Sequence, residues 1–219
     1  MNLVKPLNKT GKIGLFFGSF NPITFGHISI CKKALKHDLD EVWVFVSPNN
    51  PDKVFTGELA PEHHRWNMVN LALKNSVAHN QVFASNMEFF YNDTITITYK
   101  TIRDLKKDNP HADFLLICGT DVHLNIPDWH KSDWIIDNIK FLVFPRNKSE
   151  HQIPENKKLH NQSIYAPEKS EPISATDVRK AIFDLNFKES MTCKSVYDYI
   201  IKNNVYPTKE IKINNGKSN

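Results

Sequence analysis

Four short stretches of this chain are apolar at nearly every position: 12–17 (KIGLFF), 41–46 (EVWVFV), 113–118 (DFLLIC) and 141–144 (FLVF). A strand with one wet face alternates apolar and polar residues, whereas a strand covered on both faces does not. Segments with helical spacing lie between these runs. From Gly26 the apolar positions are Ile28, Ile30, Cys31, Ala34 and Leu35, and Pro61 opens a segment carrying Trp66, Met68, Val69, Leu71 and Leu73. Pro61 stands where a first helical turn tolerates it. Further helices are expected over 98–107, 176–183 and 194–203, and two shorter strands over 81–85 and 163–166. Buried strands alternating with helices specify an α/β, Rossmann-like fold, a parallel sheet of about six strands with helices on both faces.

With 219 residues the chain is long enough for one such domain and too short for two. The expectation is a single domain over 1–219, with its core at about 12–206, a polar loop over 146–162 and a frayed tail after Pro207. A net charge of +4 is too weak to argue for a nucleic-acid partner. Cys31, Cys118 and Cys193 form no CxxC pair, which speaks against a zinc site or a disulfide framework and for a reducing compartment. Residues 1–12 lack a signal-peptide core, and no run approaches the roughly 18 apolar residues of a membrane span. The expected setting is cytoplasmic, without a membrane partner.

Parallel sheets bind ligands beyond the carboxyl ends of their strands, at the point where the strand order reverses. The loops after Phe17, Val46, Cys118 and Phe144 are therefore the ones to inspect. The first reads GLFFGSFNPITFGH. Gly18 permits close backbone approach, and main-chain N–H groups at a helix entrance bind anions. Thr24 and His27 stand three residues apart, near enough for both to meet one phosphate. The plainer alternative is that His27 only caps a helix.

Here a resemblance becomes specific. Thr24-Phe25-Gly26-His27 matches the (H/T)xGH signature of the nucleotidyltransferase superfamily, and ISATDVRKAI at 173–182 resembles its ISxTxxR signature. LLICGTDVHLNIPDW at 115–129 resembles the G-x-D segment, with a tryptophan ten residues past the glycine, of nicotinate and nicotinamide mononucleotide adenylyltransferases. The resemblance implies transfer of AMP from ATP to a pyridine mononucleotide in NAD biosynthesis, catalysed by His27, Thr24 and Lys53. It places Gly18, Ser19, Phe20, Gly26, His27, Gly119, Asp121, Ser174, Thr176 and Arg179 on ATP. Ser19, Phe20, Lys53, Thr98, Trp129 and Arg146 fall on the mononucleotide. It further implies Mg²⁺ carried by the phosphates and water with no protein ligands to metal, and a monomer or homo-oligomer with only small-molecule partners. In SVYDYIIKNNVY at 195–206 the closing helix and its final aromatic are similar too. One stretch departs: the family's Ser-Tyr-Thr-x-Asp-Thr is 96–101 here, with Ile97 for the aromatic and Lys100 for the aspartate. Two other readings stay open, another phosphomonoester acceptor such as phosphopantetheine, and a nucleotide sensor without turnover.

Overall fold

A computed structural model describes residues 9–49, 59–74, 80–91, 97–145, 163–166 and 173–208. Among them six strands form one wholly parallel sheet: β1 (Thr10–Gly18), β2 (Glu41–Val46), β3 (Val82–Ser85), β4 (His111–Gly119), β5 (Lys140–Phe144) and β6 (Ser163–Tyr165). The sheet order is β3-β2-β1-β4-β5-β6. The chain runs outward from β1 to β3, then returns to β1's other side for β4. Connections leave β1 and β4 in opposite directions, which opens the crevice where doubly wound sheets bind ligands. Register brings the strand ends level, since Gly18 pairs with Val46 and Gly119 with Phe144.

Each strand sends alternate residues to opposite sides, and over β2 to β5 both sides are largely dry. Val42, Val44 and Val46 of β2, with Leu115 and Ile117 of β4, join one core. That core is covered by α1 (Phe25–Ala34), α2 (Glu62–Lys74), α6 (Ala175–Phe183) and α7 (Lys194–Lys202). Trp43, Phe45, Phe114 and Leu116 point the other way, into a second core closed by α3 (Thr98–Asp108) and α5 (Ser132–Asn138). The unbroken apolar runs are thus two interleaved period-2 patterns, each facing its own helical layer.

The strands and five longer helices lie within one or two residues of their expected bounds, with β1 beginning two residues early at Thr10 and β4 at His111. The sequence showed no sign of α5 or of α4 (Thr120–Asn125). At 7 and 6 residues they are too short to display a helical period. Lys131, which precedes α5, adopts the left-handed conformation at φ 59°, and neither helix has a side-chain cap. No helix among the described residues is long and apolar enough to cross a membrane.

Candidate active site

The turn after β1 is shaped by an aromatic ring lying on a glycine. Phe20 takes φ 46°, in the left-handed region. A Cβ on Gly18 would stand 3.0 Å from the tip of the Phe20 ring, tighter than ordinary contact. The same ring meets His27 edge to face, with centroids 5.1 Å apart. Asn21 follows as a buried hub. Its Oδ1 accepts from the Ala60 N–H at 3.1 Å and from the Tyr206 hydroxyl at 2.8 Å. Its backbone carbonyl accepts from Arg179 Nη1 at 2.8 Å. Thr192 completes the brace by donating to the Ile23 carbonyl at 2.7 Å.

Both signature motifs are capping boxes, the reciprocal arrangement that satisfies orphan donors at a helix start. In the first, the Thr24 N–H donates to His27 Nδ1 at 3.0 Å, and the Thr24 hydroxyl accepts from the His27 N–H at 3.4 Å. Histidine takes the place usually held by Glu or Gln. Because Nδ1 is the acceptor, the proton of the neutral ring is assigned to Nε2. In the second, Ser174 Oγ accepts from the Asp177 N–H at 3.1 Å, and the Ser174 N–H donates to Asp177 Oδ2 at 3.2 Å. The Ser174 hydroxyl bond holds the Asp177 carboxyl below its ordinary range.

The two boxes are joined. Thr24 is fully buried, and its hydroxyl donates to the Ile173 carbonyl at 3.2 Å, across 149 residues of sequence. The amino termini of α1 and α6 therefore open at one place, each contributing partial positive charge. His27 and Arg179 are half-buried there, while Thr176 is exposed in the first turn of α6.

Arg65 of α2 was not singled out in the sequence, and nothing local marks it, since an arginine in the run EHHRWNM reads as solvated. Yet it is only 1% exposed. Its guanidinium donates to four backbone carbonyls: Ala60 at 2.7 Å, Ser19 at 3.0 Å, Ser47 at 2.6 Å and Pro48 at 2.6 Å. Burial pulls its pKa down to about 10, so it stays charged at neutral pH. Beside it Ser19 is 5% exposed, and its hydroxyl has no hydrogen-bond partner among the described residues.

Across the crevice, Gly119 caps α4 and Asp121 sits exposed in that helix's first turn. Trp129 is half-buried at the end of the following turn and packs on the second core. Thr98 begins α3 and is half-buried. Lys53 and Arg146 lie outside the described residues. If Trp129 stacks on a ligand ring, Trp129→Ala weakens the mononucleotide and spares ATP. Aromatic pairing is worth roughly 0.5–1.5 kcal/mol beyond area burial. Parallel titrations of the two substrates check this, and equal weakening of both would place the indole elsewhere.

Glu88, just past β3, is a buried carboxyl that accepts from the Thr101 hydroxyl at 2.8 Å, with its second oxygen unpartnered. Burial raises its pKa from 4.5 to about 7, against the opposing bonds from Thr101 and Ser47. A raised carboxyl favours folding while it is protonated. Its contribution is complete below about 4.5 and is lost as pH rises through about 7. Glu88→Gln removes that titration. At about 1.4 kcal/mol per pKa unit, the variant gains up to about 3 kcal/mol over wild type above pH 7. Urea unfolding at pH 5 and pH 8 measures the gain, and an equal difference at both values would show that Glu88 does not titrate in this window.

A family model, cytidylyltransferase-like, matches residues 15–181, a span from β1 to α6 that includes both capping boxes. The probable nicotinate-nucleotide adenylyltransferase of Christiangramia forsetii is 32% identical over 196 residues, covering 89% of this chain and 98% of that protein. Its counterpart in Bacteroides thetaiotaomicron is 32% identical over 193 residues, covering 86% of this chain and 90% of that one. Among solved structures, the Plasmodium falciparum nicotinic acid mononucleotide adenylyltransferase complexed with NaAD superposes with a TM-score of 0.76 at 26% identity, covering 90% of this chain and 97% of that one. Sequence identity, superposition of the fold and near full-length coverage agree, and the chain belongs to the cytidylyltransferase-like family and, within it, to the nicotinate-nucleotide adenylyltransferases.

Proposed function

We propose that the 5′-phosphate of nicotinate mononucleotide attacks the α-phosphorus of ATP at the joined ends of α1 and α6. Membership of the family makes the chain an adenylyltransferase of NAD biosynthesis. A phosphate oxygen forms the new bond to phosphorus, the bond to the bridging oxygen breaks, and pyrophosphate leaves. The nucleophile is already anionic, so no side chain has to be activated. The protein's contribution is positioning and neutralisation of charge.

The observation that carries this reading is the hydrogen bonding between the motifs, Thr24 to Ile173 and Arg179 to Asn21, which gathers His27 and Arg179 about one turn. His27 presents Nε2–H to the α-phosphate. Ser174, Thr176 and Arg179 hold the leaving phosphates, and Gly119 with Asp121 takes the adenosine. Thr24, expected to touch phosphate itself, is assigned a different part. Buried, with its hydroxyl donated to the Ile173 carbonyl, Thr24 orients the imidazole through its backbone N–H, which donates to Nδ1. Lys53 and Arg146 keep their mononucleotide roles by resemblance, and Lys53 its approach to the reacting phosphates. The turn offers N–H groups, hydroxyls and a guanidinium, a donor set suited to phosphate oxygens. Mg²⁺ fits such a site when the triphosphate and water supply its ligands.

Pyrophosphate release with ATP and a panel of acceptors tests the reading. Turnover is expected with nicotinate mononucleotide above its amide analogue and none with phosphopantetheine. A preference for the amide would reassign the acceptor, and ATP binding without turnover would make the chain a sensor.

A further inference from the structure

The proposed chemistry explains the helix ends and leaves Arg65 unused. Its four acceptors are all carbonyls, and among the described residues no carboxylate pairs with the guanidinium. A buried cation loses its hydration, and that loss must be offset by what it binds. Its partners lie in two loops, after β1 (Ser19) and after β2 (Ser47 and Pro48), with Ala60 at the start of its own helix.

In a trans peptide the C=O of one residue and the N–H of the next point in opposite directions. Ala60 and Ser47 precede Pro61 and Pro48, so those two peptides carry no N–H. The other two do. When Arg65 draws in the Ser19 and Pro48 carbonyls, it turns the N–H groups of Phe20 and Asn49 away from itself. Phe20 N–H then belongs to the turn that ends at Thr24 and His27. The buried, unpartnered Ser19 hydroxyl in the same turn is a second donor awaiting an acceptor. Inward-facing carbonyls on a fixed cation, with outward-facing amides, make a polarised anion cradle.

We propose that Arg65 is a positioning residue of the phosphate site, a buried guanidinium that ties the loops after β1 and β2 together and sets the Phe20 amide toward the reacting phosphates. This rests on the adenylyl-transfer reading above. Arg65 touches no substrate, and its effect appears in how well the cradle matches the transition state.

The test compares Arg65→Lys, which keeps the charge but cannot span four carbonyls, with Arg65→Gln, which loses the charge. Misplacing reacting groups by about 1 Å costs on the order of 10²-fold, so R65K should lower kcat about 10- to 100-fold. KM for both substrates should move by less than about threefold, the pattern of an interaction made in the transition state. R65Q should also weaken inorganic pyrophosphate about tenfold, because the standing positive charge is gone. Wild-type kcat in a folded R65K overturns the proposal. So does failure of both variants to fold, which would make Arg65 a folding residue. If wild type transfers AMP to no pyridine mononucleotide, the reaction assigned above fails, and pyrophosphate affinity still judges Arg65. Unchanged affinity in folded R65Q would then dismiss it.

Discussion

His27→Ala is expected to lower kcat by a factor of about 10² to 10³ while ATP and mononucleotide still bind, because a donor aimed at developing phosphate charge acts most strongly in the transition state. The geometry makes the expectation specific. His27 Nδ1 is committed to the Thr24 N–H at 3.0 Å, so the proton of the neutral ring lies on Nε2. The imidazole is also set edge-on to Phe20, which fixes its tilt. Alanine removes the donor and leaves the Thr24 N–H without its capping partner, a second cost of roughly 1 kcal/mol in stability. His27→Asn separates the two effects. Its amide oxygen can still accept from Thr24, so stability should recover more than turnover. Steady-state kinetics with thermal unfolding of both variants checks this, and near-normal turnover in the alanine variant removes His27 from the mechanism.

Arg179→Ala is the second large effect. Its guanidinium donates Nη1 to the Asn21 carbonyl at 2.8 Å and is only half-buried, which places it within reach of a polyphosphate at the joined helix ends. A charge-assisted contact of that kind is worth on the order of 1.5–3 kcal/mol, about 10- to 150-fold in the KM for ATP. Affinity for the mononucleotide should change little. Arg179→Lys restores charge without the planar fork and should recover only part of the loss. Equal weakening of both substrates would show that Arg179 acts through Asn21 and the shared turn, and not on the triphosphate.

What could be read in the sequence was whatever repeats along it. The strands of 12–17 and 113–118 announce themselves because burial on both faces leaves no polar position. The spacing Thr24 to His27 is three residues, which is one helical turn and the geometry the structure fills with a capping box. The notion that His27 merely caps a helix turns out to be half of its structural description. What escaped was fixed by distant contact. Arg65 looks like a solvated helix residue until the loops after β1 and β2 close over it. Asn21 looks like a turn residue until Tyr206 and Ala60 reach it. Spacing carries no information about groups that meet across 185 or 39 positions. Lys53 and Arg146, drawn from loop resemblance alone, lie outside the described residues.

The brace around Asn21 bears on the order in which this molecule comes into being. Sheet pairing of β1, β2 and β3 needs only the first 85 residues, and the second half-sheet adds to it from the middle of the chain. The reacting turn is different. Besides Ala60 and Arg65, its anchors are Ile173, Arg179, Thr192 and Tyr206, supplied by the last quarter of the described chain. Contacts of such long sequence separation form late and slowly, because loop closure must precede their reward. During synthesis, then, a growing polypeptide can acquire its scaffold long before it acquires any means of handling a nucleotide. Competence arrives with the closing helix, which makes the carboxyl-terminal segment the final checkpoint between a folded chain and a working one.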